Sequence, residues 1–185
     1  MVTEMKDRNE LARYFNTLGF KVGAEIGVWD GRYSQILCEN IPGFKLICVD
    51  AWKAYFDNSQ DGTQAELNKA LRTTLNRLKN YDVTIMMKWS LEAANEIENE
   101  SLDFVYIDCN HKFDYVMEDI IQWSKKVRIG GIISGHDYWK IRDFGVVEAV
   151  DTYVKVHGYK LNIAGADGIF EGRRFGPSWW FVKSI

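Results

Sequence analysis

Residues 24–34 read AEIGVWDGRYS, and the order of residue types in this stretch decides the fold. An apolar run from Val22 to Val28 breaks at Asp30-Gly31, and a helix-forming segment follows from about Tyr33 to Glu39. Strand, Gly-containing turn and helix make the opening unit of an α/β domain. Working outward, the unit recurs. Phe44 to Val49 (FKLICV) is continuously apolar and ends in Asp50, the pattern of a strand buried on both faces. Leu67, Leu71, Leu75 and Leu78 mark one side of a long helix. Val83 to Met87 reads as a third strand, and Ser90 as the N-cap of a helix with Glu92 in its first turn. Leu102 to Ile107 (LDFVYI) is a fourth strand ending in Asp108, and Val116, Ile120, Trp123 and Val127 share one helical face. Gly131 to Ser134 (GIIS) is a fifth strand, ending at His136-Asp137. Val146, Val150 and Val154 mark a helix stopped by Gly158. Two strand-like runs, Lys160 to Ala164 and Trp179 to Val182, close the chain around a Gly-rich loop. Upstream, Leu11, Tyr14, Phe15 and Leu18 recur at helical spacing, with Asp7 and Glu10 as a capping box and Gly19 as the stop.

Composition narrows the function classes. The chain has 185 residues, 46% hydrophobic, with a net charge of −3, enough apolar mass for one core and too little charge for a disordered chain. The slight acidity and the lack of a Lys/Arg run argue against a nucleic-acid partner. No apolar stretch reaches the roughly 18 residues that span a bilayer, and Met1 to Glu10 do not read as a signal peptide. Three Cys without a CxxC spacing suit a reducing compartment, so a cytoplasmic protein is expected.

In parallel sheets of this kind ligands bind beyond the carboxyl ends of the strands. Glu25 to Gly31, Asp50, Ser90, Asp108 to His111 and His136-Asp137 therefore become the candidate site. A dinucleotide fingerprint would carry Gly where Trp29 stands, and that bulk works against a pyrophosphate on the loop. A nucleoside without phosphates fits better. Asp50, 23 residues after Gly27, has near the spacing at which an acid meets ribose hydroxyls.

Together, AEIGVWDGRYS, LICVDAW, KWSLEAANEI, LDFVYIDCNHKFDYVMEDIIQW and IGGIISGHDYW resemble the class I S-adenosylmethionine-dependent methyltransferases. The last two are similar to a small-molecule O-methyltransferase subgroup with IDGDH-like and GG…HDY motifs, distantly like the macrocin O-methyltransferases. The resemblance covers about residues 21–185, as one methyltransferase domain behind an N-terminal helix in residues 1–20. It implies a Rossmann-like, mostly parallel seven-stranded sheet with an antiparallel C-terminal strand and helices on both faces.

The resemblance also implies roles. Glu25, Gly27 and Gly31 would surround the methionine portion and ribose of the cofactor, with Trp29, Tyr33 and Ser34 in the same cofactor-binding turn. Asp50 would take the ribose hydroxyls. Ala51 and Trp52 would lie beside the adenine, with Ser90 and Leu91 on its far side. Asp108 would face the methionine amino group or a metal. On the acceptor side stand Asp108, His111, His136 and Asp137. A neutral His titrates near pH 6.5, so His111 is the expected base if no metal binds. A divalent metal (Mg, Mn or Fe) on Asp108, His136 and Asp137 is the other arrangement. His136 stands where metal-dependent sugar O-methyltransferases carry an acid, and Asn110 replaces an Asp; imidazole suits Mn, Fe or Zn better than Mg.

The expected activity is methyl transfer to a small-molecule acceptor, at a hydroxyl oxygen, by in-line displacement. Two rivals are a metal-dependent oxygenase built on Asp108, His111 and His136, and a nucleoside-binding protein without catalysis. A homodimer through a helix such as Asp7 to Leu18 is compatible with the sequence. Among the remaining residues, Trp123 reads as core, one of Trp179 and Trp180 as inward-packed, and Trp139 as a packing or acceptor contact. His157 reads as structural, Arg173 and Arg174 as solvated, and Cys109 as incidental.

Overall fold

The computed structural model describes residues 5–54, 62–140, 144–165, 169–170, 173–174 and 176–184, with the backbone alone at 169–170 and 173–174. Helices α1 (Arg8–Thr17), α2 (Arg32–Asn40), α3 (Gln64–Leu78), α4 (Ser90–Glu96), α5 (Phe113–Lys126) and α6 (Val146–His157) alternate with strands β1 (Val22–Ile26), β2 (Lys45–Val49), β3 (Val83–Met86), β4 (Leu102–Ile107) and β5 (Val127–Gly135). Then come β6 (Asn162–Ala164), the short pair β7 (Ile169–Phe170) and β8 (Arg173–Arg174), and β9 (Ser178–Val182). The main sheet has seven strands in the order β3-β2-β1-β4-β5-β9-β6. β1 to β5 pair in parallel, and β9 runs antiparallel to both β5 and β6. The expected topology holds, with one addition: β7 and β8 pair within what reads as a Gly-rich loop. The expected exposure of the Arg173 and Arg174 side chains lies outside the described residues.

Alternation along each strand splits the core in two. Leu46 and Cys48 of β2, Phe104 and Tyr106 of β4 and Trp180 of β9 join the side covered by α1, α2 and α3. Val49, Val105, Ile107, Trp179 and Phe181 join the side covered by α4, α5 and α6. Trp179 and Trp180 are therefore both buried, one on each face, because successive strand residues point to opposite sides. Gly23 is required by the first face. A Cβ there would lie 2.6 Å from the Phe104 ring, which stacks on Phe15 at 4.2 Å between centroids and on Phe44 at 5.5 Å.

Local signals differ from expectation at four helices. Asp7 does cap α1 by accepting from the Glu10 N–H at 2.9 Å, but the Glu10 carboxylate takes the Lys6 N–H instead of closing a box. The buried side of α3 is Leu67, Ala70, Thr74 and Leu78, while Leu75 is exposed, since the leucine stripe drifts off the face that meets α2. α4 starts at Ser90 with Trp89 as its cap residue; the Trp89 N–H is taken by the Glu92 carboxylate at 3.3 Å. α5 ends at Lys126, and Val127, expected on its apolar face, opens β5.

Register places the site. Ile26 lies level with Val49 and with Ile107, Val49 with Met86, and Ile107 with Gly135. The next residue on each strand, namely Gly27, Asp50, Met87, Asp108 and His136, therefore stands on one line across the carboxyl edge of the sheet.

Candidate active site

A cleft of about 1470 Å³ runs along that edge. Its wall includes Glu25, Gly27, Trp29, Tyr33, Asp50, Ala51, Ser90, Asp108, His111, His136 and Asp137 of the expected residues. Gly31, Ser34, Trp52 and Leu91 do not line it. Gly31 is the left-handed cap of α2, packed against Thr74. Ser34 is fully buried and donates to the Glu25 carboxylate. Trp52 turns into the core, 2% exposed, because its own φ is +44°. Leu91, in the first turn of α4, is only partly buried and stays outside the wall. The cleft also contains residues for which no role was expected, among them Arg8, Lys53, Tyr115 and Asp119.

The first loop is held in a demanding shape. At Gly27 φ is +88°, and a Cβ would fall 2.0 Å from the Asp108 carbonyl oxygen, so only glycine fits. Trp29 takes φ +52°, a left-handed conformation that a side-chain-bearing residue rarely adopts. Several groups hold it there. The Asp50 carboxylate accepts from the Val28 and Trp29 N–H groups, each at 3.0 Å, and from the Trp52 N–H at 2.7 Å. The Trp29 carbonyl accepts from the Trp52 indole and the Thr74 hydroxyl, each at 2.9 Å. Asp50 thus organises the turn while still facing the cleft.

Glu25 lies under α2, 2% exposed. Burial raises its pKa to about 8 against the opposing hydrogen bond from Ser34, and the nearby Asp108 charge pushes the same way. Beneath the far end of the cleft, the Asp119 carboxylate accepts from Ser90 and from the Cys109 thiol at 2.9 Å, and Ser90 accepts from the Trp123 indole at 2.9 Å. Burial raises both Asp119 and Cys109, which gives Cys109 the character of an inert thiol inside a polar network.

The acceptor-side cluster forms between β4 and β5. His111 Nε2 lies 2.9 Å from Asp137 Oδ2 and 3.8 Å from Asp108 Oδ1. Neither contact runs along an N–H direction, so Nε2 has no well-formed hydrogen bond. The His111 ring stacks on Phe144 at 4.5 Å, which fixes its plane. His136 Nδ1 lies 3.3 Å from Asp137 Oδ1 and 3.7 Å from Asp108 Oδ1. Burial lowers the His111 pKa, but the two carboxylates outweigh it and carry the value up to about 10. The Asp137 carboxyl is held well below its ordinary range; burial opposes this, and the two imidazoles prevail. At neutral pH His111 is therefore an imidazolium rather than the neutral ring expected from the sequence.

Ligand atoms of Asp108, His111 and Asp137 lie within 4.8 Å of one another. That set shares Asp108 and Asp137 with the expected Asp108, His136 and Asp137 and has His111 where His136 was expected.

Residues 24–138 match the family profile described as a methyltransferase domain. The chain belongs to this methyltransferase family. No curated protein matches the methyltransferase in sequence. Among solved structures it is similar to an O-methyltransferase from Bacillus cereus, in complex with SAH, at 14% identity and a TM-score of 0.68, covering 95% of this chain and 80% of that one. It is similar to the O-methyltransferase TomG from Streptomyces achromogenes, in complex with SAM, at 13% identity and 0.69, covering 96% and 80%. It is also similar to a precorrin-6y C5,15-methyltransferase from Geobacter metallireducens, at 16% identity and 0.67, covering 95% and 87%. At these identities the likeness is one of fold. No helix among the described residues is long and apolar enough to cross a membrane.

Proposed function

We propose that this methyltransferase moves a methyl group from S-adenosylmethionine to a small-molecule acceptor, at a hydroxyl oxygen. One observation carries the reading: the acids Asp50 and Asp108 share one cleft at the strand tips, beside a loop whose Trp29 leaves no bed for a pyrophosphate. A cationic nucleoside matches that chemistry. Asp50, on the cleft wall beside the first loop, serves the ribose hydroxyls. Ala51 and Ser90 border the base, and the exposed rings of Trp29, Trp89 and Tyr115 offer it or the acceptor an aromatic face.

His111 and Asp137 handle the acceptor proton. His111 gives up its own proton more readily beside a sulfonium, because a second positive charge disfavours the imidazolium. The neutral ring, held flat on Phe144 and flanked by Asp137, then accepts the proton of the attacking hydroxyl. His136 positions Asp137.

A second reading keeps the same residues. The two carboxylates and the Nε2 atom that lacks a well-formed hydrogen bond suit a divalent cation of the Mn or Fe kind. When bound, such an ion would lower the pKa of the acceptor hydroxyl.

Calorimetry with S-adenosylhomocysteine, with and without Mn²⁺, tests the reading: heat of binding is expected, and its absence under both conditions removes the assignment. His111→Gln is expected to keep that affinity within about threefold and to lower kcat by roughly 10²- to 10⁴-fold on an identified acceptor. Unchanged turnover would leave a nucleoside-binding site with its chemistry elsewhere. Loss of activity in a chelator, restored by Mn²⁺, would favour the second reading over the first.

A further inference from the structure

The turn through Trp29, Asp30 and Gly31 leans on α3. Thr74, fully buried on an otherwise apolar face of that helix, donates its hydroxyl to the Trp29 carbonyl at 2.9 Å. Three residues on, Arg77 donates from Nε to the Asp30 carbonyl at 3.0 Å and from Nη1 to Gln35 Oε1, also at 3.0 Å. Its Nη2 lies 3.6 Å from the Asp30 carboxylate. Two consecutive carbonyls of the turn are thus both drawn toward α3. The contact there is close, since a Cβ on Gly31 would meet the Thr74 side chain at 3.2 Å.

A tryptophan at φ +52° keeps that conformation only while its surroundings hold it. Asp50 holds the turn by its N–H groups at Val28 and Trp29, from the β2 side. Thr74 and Arg77 hold it by its carbonyls, from the helix side. A turn released by α3 relaxes toward right-handed backbone, and only a fraction of the molecules then presents the cleft wall in its binding shape. Apparent affinity falls by that fraction. Thr74 does not line the cleft, so its hydroxyl reaches a ligand only through the loop. Arg77 borders the cleft, yet Nε, Nη1 and Nη2 all face partners in the loop and α2.

We propose that Thr74 and Arg77 are positioning residues for cofactor binding, which preset the first loop from α3 without bonding the nucleoside themselves. This rests on the cofactor assignment above. It also accounts for a hydroxyl at the one polar position among the buried residues of α3, Leu67, Ala70, Thr74 and Leu78.

Calorimetry with S-adenosylhomocysteine on wild type, Thr74→Val, Thr74→Ser and Arg77→Lys tests the proposal. Valine keeps the shape of Thr74 without the hydroxyl, serine keeps the hydroxyl, and lysine keeps the charge of Arg77 without the planar fork. Thr74→Val and Arg77→Lys are each expected to raise Kd about three- to tenfold at unchanged stoichiometry, and Thr74→Ser to stay within about twofold of wild type. Stoichiometry separates this role from a merely structural one, because a variant that is partly unfolded offers fewer sites at an unchanged Kd. A wild-type Kd in Thr74→Val or in Arg77→Lys, a loss in Thr74→Ser as large as in Thr74→Val, or a fall in stoichiometry alone would overturn the proposal. If wild type itself binds no S-adenosylhomocysteine, the cofactor assignment falls and this proposal with it, an outcome distinct from any difference among the variants.

Discussion

Glu25 shows how much a single buried side chain can govern. Its neighbours on the strand face are Ser34 and Cys48, with Asp108 and Asp50 close enough to repel its charge. Its pKa of about 8 in the folded chain, against about 4.5 for a free carboxyl, means that the fold holds the proton more tightly than the unfolded chain does. The contribution to stability is then complete below about pH 4.5 and is lost as pH rises through 8. Denaturant titrations between pH 5 and 9 should show wild type losing stability across that window, and Glu25→Gln should flatten the dependence. A profile that is the same in both proteins would place the ionised form in the folded state. The sequence revealed that an acid stands at this strand end. Its burial was not legible, because that depends on α2 bringing Ser34 onto the carboxylate. Trp52 failed for a similar reason: adjacency to Asp50 suggested a ligand contact, while a left-handed φ at its own residue turns the indole into the core.

Among the elements, α1 contributes most beyond expectation. Its Leu11, Ala12 and Phe15 fill the core beside Phe104, and its first residue enters the cleft. Apolar spacing predicts the helix and its buried side, and Asp7 predicts its start. Neither predicts where the first turn points, since that depends on packing against α2 and on the Tyr33 hydroxyl. Asp7→Ala removes the acceptor for the Glu10 N–H and should cost about 0.5–2 kcal/mol in thermal or chemical unfolding. The acceptor cluster was legible for a complementary reason. Two runs that each end in paired Asp and His, on strands that neighbour each other in this topology, must bring those residues together whatever their rotamers. The distances were not legible; they depend on the His111 ring plane, which its stack on Phe144 fixes.

At the scale of the whole molecule, alternation of apolar runs suffices for the α/β class, and the tandem Trp179-Trp180 closes both cores at once. Each ring is nearly fully buried, on opposite faces of β9. Trp180→Ala should therefore cost about 3–5 kcal/mol, measured by denaturant unfolding, from the lost apolar contact and the cavity left beside Tyr14. A change below about 1 kcal/mol would mean that the α1 side collapses freely around the gap. The small β7–β8 pair escaped notice because two-residue strands carry no periodicity to read.

The position of β9 between β5 and β6 also bears on how the chain comes off the ribosome. The strand that joins these two is translated after both, so until it emerges β5 lacks its outer neighbour and β6 has only its bridge from Ala164 to Met5. Stalled nascent chains should stay sensitive to protease around residues 162–164 until 178–182 have left the exit tunnel, then become resistant together. Earlier resistance would show that the edge finds a temporary partner.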